Sequence, residues 1–140
     1  MTQKTETLHK ASELTGKLKH LFVATADKSG LPHVTAAGEM TLTPEGHVAV
    51  GAWFCPGTVE NLQHNRRVAL VVWDESKDTG YQLLGEVKEV KELSFADGYA
   101  PEKESQTPPQ VQRQLIVEVN KTPIPRLTLL FCGIRLKKPR

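Results

Sequence analysis

Apolar residues recur along this chain in two rhythms, and the change from one to the other marks its organisation. From Thr5 to Lys19, Leu8, Ala11, Ser12, Leu14, Thr15 and Leu18 fall near one face of a helix, with lysines and glutamates opposite. Gly16 weakens the last turn, so the spacing predicts a helix that stops early. After His20 the period shortens to two. Leu21–Asp27 (LFVATAD) and Leu31–Leu42 read as the strands of a hairpin around Asp27-Lys28-Ser29-Gly30, where glycine suits positive φ. A second turn, Thr43-Pro44-Glu45-Gly46, leads into a third strand, His47–Phe54, so the start of the sheet reads as an antiparallel meander.

Pro56 and Gly57 end that strand. Thr58 is the expected N-cap of a short helix over Val59–Asn65, with Glu60 in its first turn. Val68–Trp73 is an unbroken apolar run fit for a central strand. A polar loop, Asp74–Gly80, precedes the alternating run Tyr81–Leu93, in which Gly85 signals a bulge or a close backbone approach. Phe95–Gln110, rich in proline and charge, reads as a mobile surface loop. Gln112–Val119 is a further strand, Asn120–Pro125 a bend without regular pairing, and Leu127–Leu136 a last apolar strand. Six or seven strands with two helices predict a mainly β fold, an antiparallel barrel that closes to remove its edges. The apolar Val68 and Leu127 runs need either the barrel centre or a second subunit to cover them, which favours a dimer.

Composition narrows the function classes. The chain has 140 residues, 39% of them apolar, enough for one domain with its own core. A net charge of +2 with scattered basic residues gives no field for nucleic acid; the basic tail Arg135, Lys137, Lys138 and Arg140 reads as a solvated end. Two cysteines far apart form neither a metal motif nor a disulfide framework and suit a reducing cytoplasm. No apolar run reaches membrane-spanning length, and MTQKTETLHK lacks the apolar core of a signal peptide, so the expected location is cytoplasmic, away from membranes.

The start of the short helix is the candidate ligand site. A glycine followed by threonine leaves backbone N–H groups at positive potential, where a phosphate could sit; most such junctions bind nothing, so that plain reading stands beside it. Cys55 precedes the same helix start, where a thiolate would be stabilised. With no partner base placed by the sequence, it reads as an inert cysteine, and Cys132 as core. Trp53 and Trp73 could stack on a planar ligand but read first as core or interface residues. His20, His47 and His64 share no ligand spacing.

Gly30, Pro32 and His33 at the hairpin; Thr58, Asn61, Leu62, Asn65 and Val68 around the helix; and Tyr81, Gly85 and Val87 beyond it occur in an order that resembles the pyridoxamine 5'-phosphate oxidase-like FMN-binding split-barrel family. The likeness spans roughly Leu21–Val90. It implies a split barrel, a homodimer, and FMN in a groove to which both chains contribute. By position, the backbone of Val34, Thr35, Ala36, Ala37 and Gly38 would run along the flavin ring, with His33 just before it as a further cofactor-binding residue. Gly51 and Ala52 would approach the ribityl chain or phosphate, and Gly57, Thr58 and Asn61 would stand at the phosphate end.

Thr58 matches the family's hydroxyl position, whereas Gly57 stands where the family has a basic residue. His33 falls near an arginine of the family's oxidases and could supply positive charge, or simply flank the turn. Arg66 and Arg67, just past the helix, could assist. The oxidases carry a C-terminal R-x-H substrate segment, and LTLLFCGIRLKKPR has no histidine, so the resemblance does not extend to pyridoxamine phosphate oxidation. It implies a flavin-dependent redox enzyme acting on a small-molecule substrate. The alternative is a non-catalytic barrel serving as an interaction module or holding another ligand, such as a deazaflavin or haem.

Overall fold

Alternation along Arg67–Asp74 shows why the sheet has an inside. Val68, Leu70, Val72 and Asp74 are buried while Ala69, Val71 and Trp73 are half-exposed, a period of two. This strand is β5 in the computed structural model, which describes residues 3–53, 55–93, 112–120 and 124–127. In chain order the elements are α1 (Gln3–Leu18), β1 (Leu21–Ala26), β2 (Pro32–Ala37), β3 (Glu39–Leu42), β4 (Val48–Trp53), α2 (Pro56–His64), β5 (Arg67–Asp74), β6 (Thr79–Leu93), β7 (Gln112–Val119) and β8 (Ile124–Leu127). The strands form an antiparallel sheet in the order β2-β1-β5-β6-β7-β4-β3, with β8 beside β6.

The fold is the split barrel expected, with its N-terminal helix and a short helix between β4 and β5, but three details differ. The path does not close: β2 and β3 end it. The predicted strand Leu31–Leu42 breaks at Gly38, and its halves pair with different neighbours, β2 with β1 and β3 with β4. The meander is therefore two hairpins whose inner strands lie at opposite ends of the sheet. Thirdly, the bend assigned to Asn120–Pro125 contains the start of β8, where Ile124 pairs with Gln82. The Phe95–Gln110 segment and most of the Leu127–Leu136 run lie outside the described residues.

The inward faces of β1, β4, β5, β6 and β7 meet in one core. Leu21, Leu70, Leu83, Leu115, Val23, Val48, Val50, Val87, Val117 and Val119 are each at most 2% exposed there. Each such leucine or valine contributes roughly 1.5–3 kcal/mol by leaving water. Helix α1 adds Leu8 and Ala11 to this core and packs against β3 and β5. Ser12 Oγ donates to the Met40 carbonyl at 3.0 Å, and Lys17 pairs with Asp74 at 3.7 Å. The helix runs through Gly16 to Leu18 and ends at Lys19, whose φ of 66° and N–H bond to the Thr15 carbonyl make a left-handed cap. Packing of the apolar face outweighs the glycine's weak propensity, so the helix does not stop early.

The two glycine signals in strands and turns hold. Gly30 has φ 92° in the first hairpin, where Asp27 Oδ1 accepts hydrogen bonds from the Ser29 and Leu31 amides. At Gly85 the backbone passes close to β7: a Cβ there would overlap the Glu118 carbonyl and lie 2.9 Å from Val117 Cγ1. The bulge itself comes later in β6, between Val87 and Glu89.

A second irregularity bears on the site. Between Val50 and Trp53 the pairing of β4 with β7 slips, and Ala52 adopts the left-handed region with φ 59°. A non-glycine residue there costs about 1–2 kcal/mol. Ala52→Gly removes that strain while adding chain entropy, so it should raise stability by about 0.5–1 kcal/mol. Thermal melting of the variant checks this, and a lower melting temperature would show an unstrained Ala52.

Candidate functional site

Helix α2 begins three residues before the position its threonine suggests. Cys55 is the N-cap, in extended conformation and without a side-chain capping bond; Pro56 is the first helical residue, where a missing N–H is harmless. Thr58 is therefore not the cap but lies within the first turn, its N–H bonded to the Cys55 carbonyl at 3.1 Å. Glu60 accordingly falls beyond the first turn, which holds no acidic residue. The Thr58 side chain is 0% exposed, and its hydroxyl meets no partner of hydrogen-bonding geometry. A buried orphan hydroxyl costs about 1–3 kcal/mol, which is tolerated where a ligand completes it.

Strand β2 lies along this helix start. Among the described residues it pairs with β1 alone and ends the sheet, so no described strand pairs with its other side. His33 and Thr35 are half-buried and Ala37 is buried, while Val34 and Ala36 face the other way and are exposed. Past Ala37, the Gly38 N–H is shared between the Gly51 and Ala52 carbonyls, both at 3.1 Å. The edge of β2 thus neighbours both the irregular end of β4 and the first turn of α2. Most of the residues singled out for a cofactor, from His33 to Ala37 with Gly51, Ala52, Gly57 and Thr58, are brought together there.

Asn61 stands one turn further along α2, and its amide Nδ2 donates to Thr25 Oγ1 at 3.1 Å. That bond ties the helix to β1 and fixes how its first turn is presented. Trp53 is core, its indole N–H on the Val50 carbonyl; Trp73 anchors the β5–β6 turn through Asp78. Arg66 reaches the Val87 carbonyl at 3.5 Å, and Arg67 lines a cavity of about 580 Å³ at the far end of α2 with Thr25, Asn65 and Glu86. Neither arginine stands at the helix start.

The space beside Gly57 is taken by a side chain from β2. A Cβ on Gly57 would sit 3.5 Å from His33 Cε1 and 3.6 Å from Nε2, so the imidazole occupies the space beside that position. His33 therefore flanks the turn and faces the site as well.

The reading of Cys55 as a cysteine without a partner is overturned. Its sulfur lies 3.3 Å from His33 Nε2, and the thiol is half-buried. Burial raises the thiol's pKa, but the Thr58 amide, the Thr58 hydroxyl, His33 and Thr35 together outweigh it and lower the pKa to about 6. The Thr58 hydroxyl acts here as a dipole near the sulfur, short of a well-formed hydrogen bond. The sequence could not show this pairing, because 22 residues and a sheet crossing separate its members. Among the described residues, no group of three His, Cys, Asp or Glu could hold a metal ion, and no helix is long and apolar enough to cross a membrane.

Residues 8–124 match the pyridoxamine 5'-phosphate oxidase family. No curated protein sequence matches significantly. Among solved structures, a candidate pyridoxamine 5'-phosphate oxidase from Lactobacillus delbrueckii is similar at 26% identity over 85% of this chain and 91% of that one, with a TM-score of 0.53. An FMN-binding protein from Syntrophomonas wolfei shares the fold at 13% identity, 83% and 85% coverage and a TM-score of 0.58. HutZ, the haem storage protein of Vibrio cholerae, does so at 16% identity, 86% and 96% coverage and a TM-score of 0.52.

Proposed function

The chain belongs to the pyridoxamine 5'-phosphate oxidase family, and on that premise we propose that it is a homodimeric flavoprotein, a redox enzyme acting on a small molecule in the cytoplasm. The observation that carries this reading is the lining made by β2, Gly51–Ala52 and the first turn of α2, with a buried, unpartnered Thr58 hydroxyl in its helical part. Pro56 has no N–H and those of Thr58 and Val59 bond to the Cys55 carbonyl, so the helix start offers the Gly57 N–H at positive potential, with the His33 imidazole beside it as the basic group. A phosphate is a fit occupant of that corner.

Each group then has a distinct task. Gly57 binds the phosphate through its backbone N–H and Thr58 through its hydroxyl, the Thr58 N–H being held by the Cys55 carbonyl, while the His33 imidazole flanks them. The free backbone edge of β2 orients the planar ring by hydrogen bonds along His33–Ala37. Ala52, held in its left-handed turn, lets the backbone end of β4 come close without a bulky side chain. When bound, FMN supplies hydride and single-electron transfer, chemistry that no side chain here provides.

The same edge supports the dimer. Phe22 on β1 pairs with Ala36 on β2, and Ala24 with Val34, so these four share one face. Phe22 is 43% and Val34 60% exposed, an apolar surface that a second copy would cover beside the flavin groove.

The test is a titration. The purified protein is expected to bind one FMN per chain with quenching of flavin fluorescence, and light scattering should give the mass of two chains. Riboflavin, which lacks the phosphate, should bind at least about tenfold more weakly, because bonds to a charged group contribute roughly 1.5–3 kcal/mol each. Equal affinities would remove the phosphate corner. Failure to bind FMN together with a Soret band on adding haem would replace this reading by haem binding, the occupant named for HutZ.

A further inference from the structure

Beyond flavin binding, the corner where β2 meets α2 holds a chemical group of its own. We propose that Cys55 and His33 form a nucleophile–base pair, and that Cys55 is a site of reversible S-thiolation by low-molecular-weight disulfides. Reactivity belongs to the flavin-free protein, so it stands apart from the identity of the cofactor.

Three observations place a nucleophile here rather than a packed cysteine. His33 Nε2 is 3.3 Å from the sulfur, close enough to take its proton and stay as a counter-charge. Thr35, on the same face of β2 as His33, and the Thr58 amide at the start of α2 stabilise the thiolate from two further directions. The Thr58 hydroxyl is wholly buried beside the sulfur yet has no fixed partner, so it is available to a negative charge in that corner. A thiol buried among apolar groups would instead be inert.

Cys55 is only half-buried, so a small reagent can reach it. With its pKa lowered to about 6, the thiol is more readily ionised at neutral pH than an ordinary cysteine. An attacking thiol whose pKa lies near the ambient pH combines ionisation with nucleophilicity.

The exchange balances without an added oxidant. The Cys55 thiolate attacks one sulfur of a disulfide R–S–S–R. The Sγ–S bond forms as the S–S bond breaks, and RS⁻ leaves with the bonding pair. It takes a proton from the His33 imidazolium or from water. One disulfide replaces another, and attack by a second small thiol restores Cys55.

The experiment is alkylation of the flavin-free full-length protein with iodoacetamide from about pH 5 to 9, read by mass spectrometry on the peptide that carries Cys55. That readout separates Cys55 from Cys132. The half-maximal rate is expected near pH 6, and His33→Gln should move it upward by about one unit or more. Glutathione disulfide should add one tripeptide at Cys55, removable by dithiothreitol, and Cys55→Ser should gain none on that peptide. Thr35→Val provides a second route, shifting the profile the same way if His33→Gln fails to fold. A midpoint at about pH 8–9 in the folded parent, as for a free thiol, overturns the proposal. So does the absence of a disulfide adduct, or a folded variant that titrates like the parent.

Discussion

Gly85→Ala is expected to destabilise the protein by about 3 kcal/mol, at the upper end of what overpacking a tight site costs. The added methyl would overlap the Glu118 carbonyl and crowd Val117 Cγ1 at 2.9 Å. Both belong to β7, and β7 cannot retreat freely. Its Leu115 and Val117 are fully buried, and on its far side it pairs with β4 through Val48–Val117 and Val50–Leu115. The alanine must therefore push against the centre of the sheet rather than a flexible side chain. Against a typical total of about 5–15 kcal/mol, that loss is a large share of the stability. Chemical denaturation would measure it; a change under about 0.5 kcal/mol would mean that β6 and β7 separate more easily than their pairing suggests.

The second large effect concerns ligand affinity. Thr58→Val keeps the shape of the side chain and removes its hydroxyl. Since Cys55 and not Thr58 caps α2, no capping bond is lost. The hydroxyl is buried without a partner, so the ligand-free variant should be as stable as the parent or up to about 1 kcal/mol more stable. FMN affinity, in contrast, should fall about ten- to a hundredfold, the value of one hydrogen bond to a charged acceptor. The two measurements move in opposite directions only if the hydroxyl serves a ligand. Unchanged FMN affinity in a variant that melts at or above the parent would leave Thr58 to Cys55 alone.

Much of this arrangement was legible in the chain. The period-two burial of β5, the glycine turn at Gly30 and the close approach at Gly85 each follow from local stereochemistry, which a sequence carries directly. So does the apolar stripe of α1. The break at Gly38 was not legible, because the run from Leu31 to Leu42 remains strand-like throughout. Only the competition of two partner strands divides it. The start of α2 was misplaced because two signals conflicted: threonine is a favoured cap, but proline at the first helical position sets the boundary at Cys55. The order of the family's residues points to β2, the end of β4 and the start of α2 as candidates, and these segments are neighbours in the structure. The His33–Cys55 pair was out of reach, since nothing local links a turn-flanking histidine to a cysteine in a distant segment.

The position of β7 also determines when the molecule can begin to exist as a fold. Remove that strand and the hydrogen-bonded path falls into two pieces, β2-β1-β5-β6 and β4-β3. Val48 and Val50 emerge from the ribosome early, yet their partners Val117 and Leu115 come long afterwards. Until then, among the described strands, β4 is paired in the sheet with the short β3 alone, and a two-stranded ribbon is marginal in water. Closure of so long a loop must precede the contacts that reward it, which places this chain among slow, non-local folders. The corner that presents Cys55 and Thr58 is tied to β1 and β2 through Asn61 and His33, but it also continues from β4, a strand whose pairing must wait for β7.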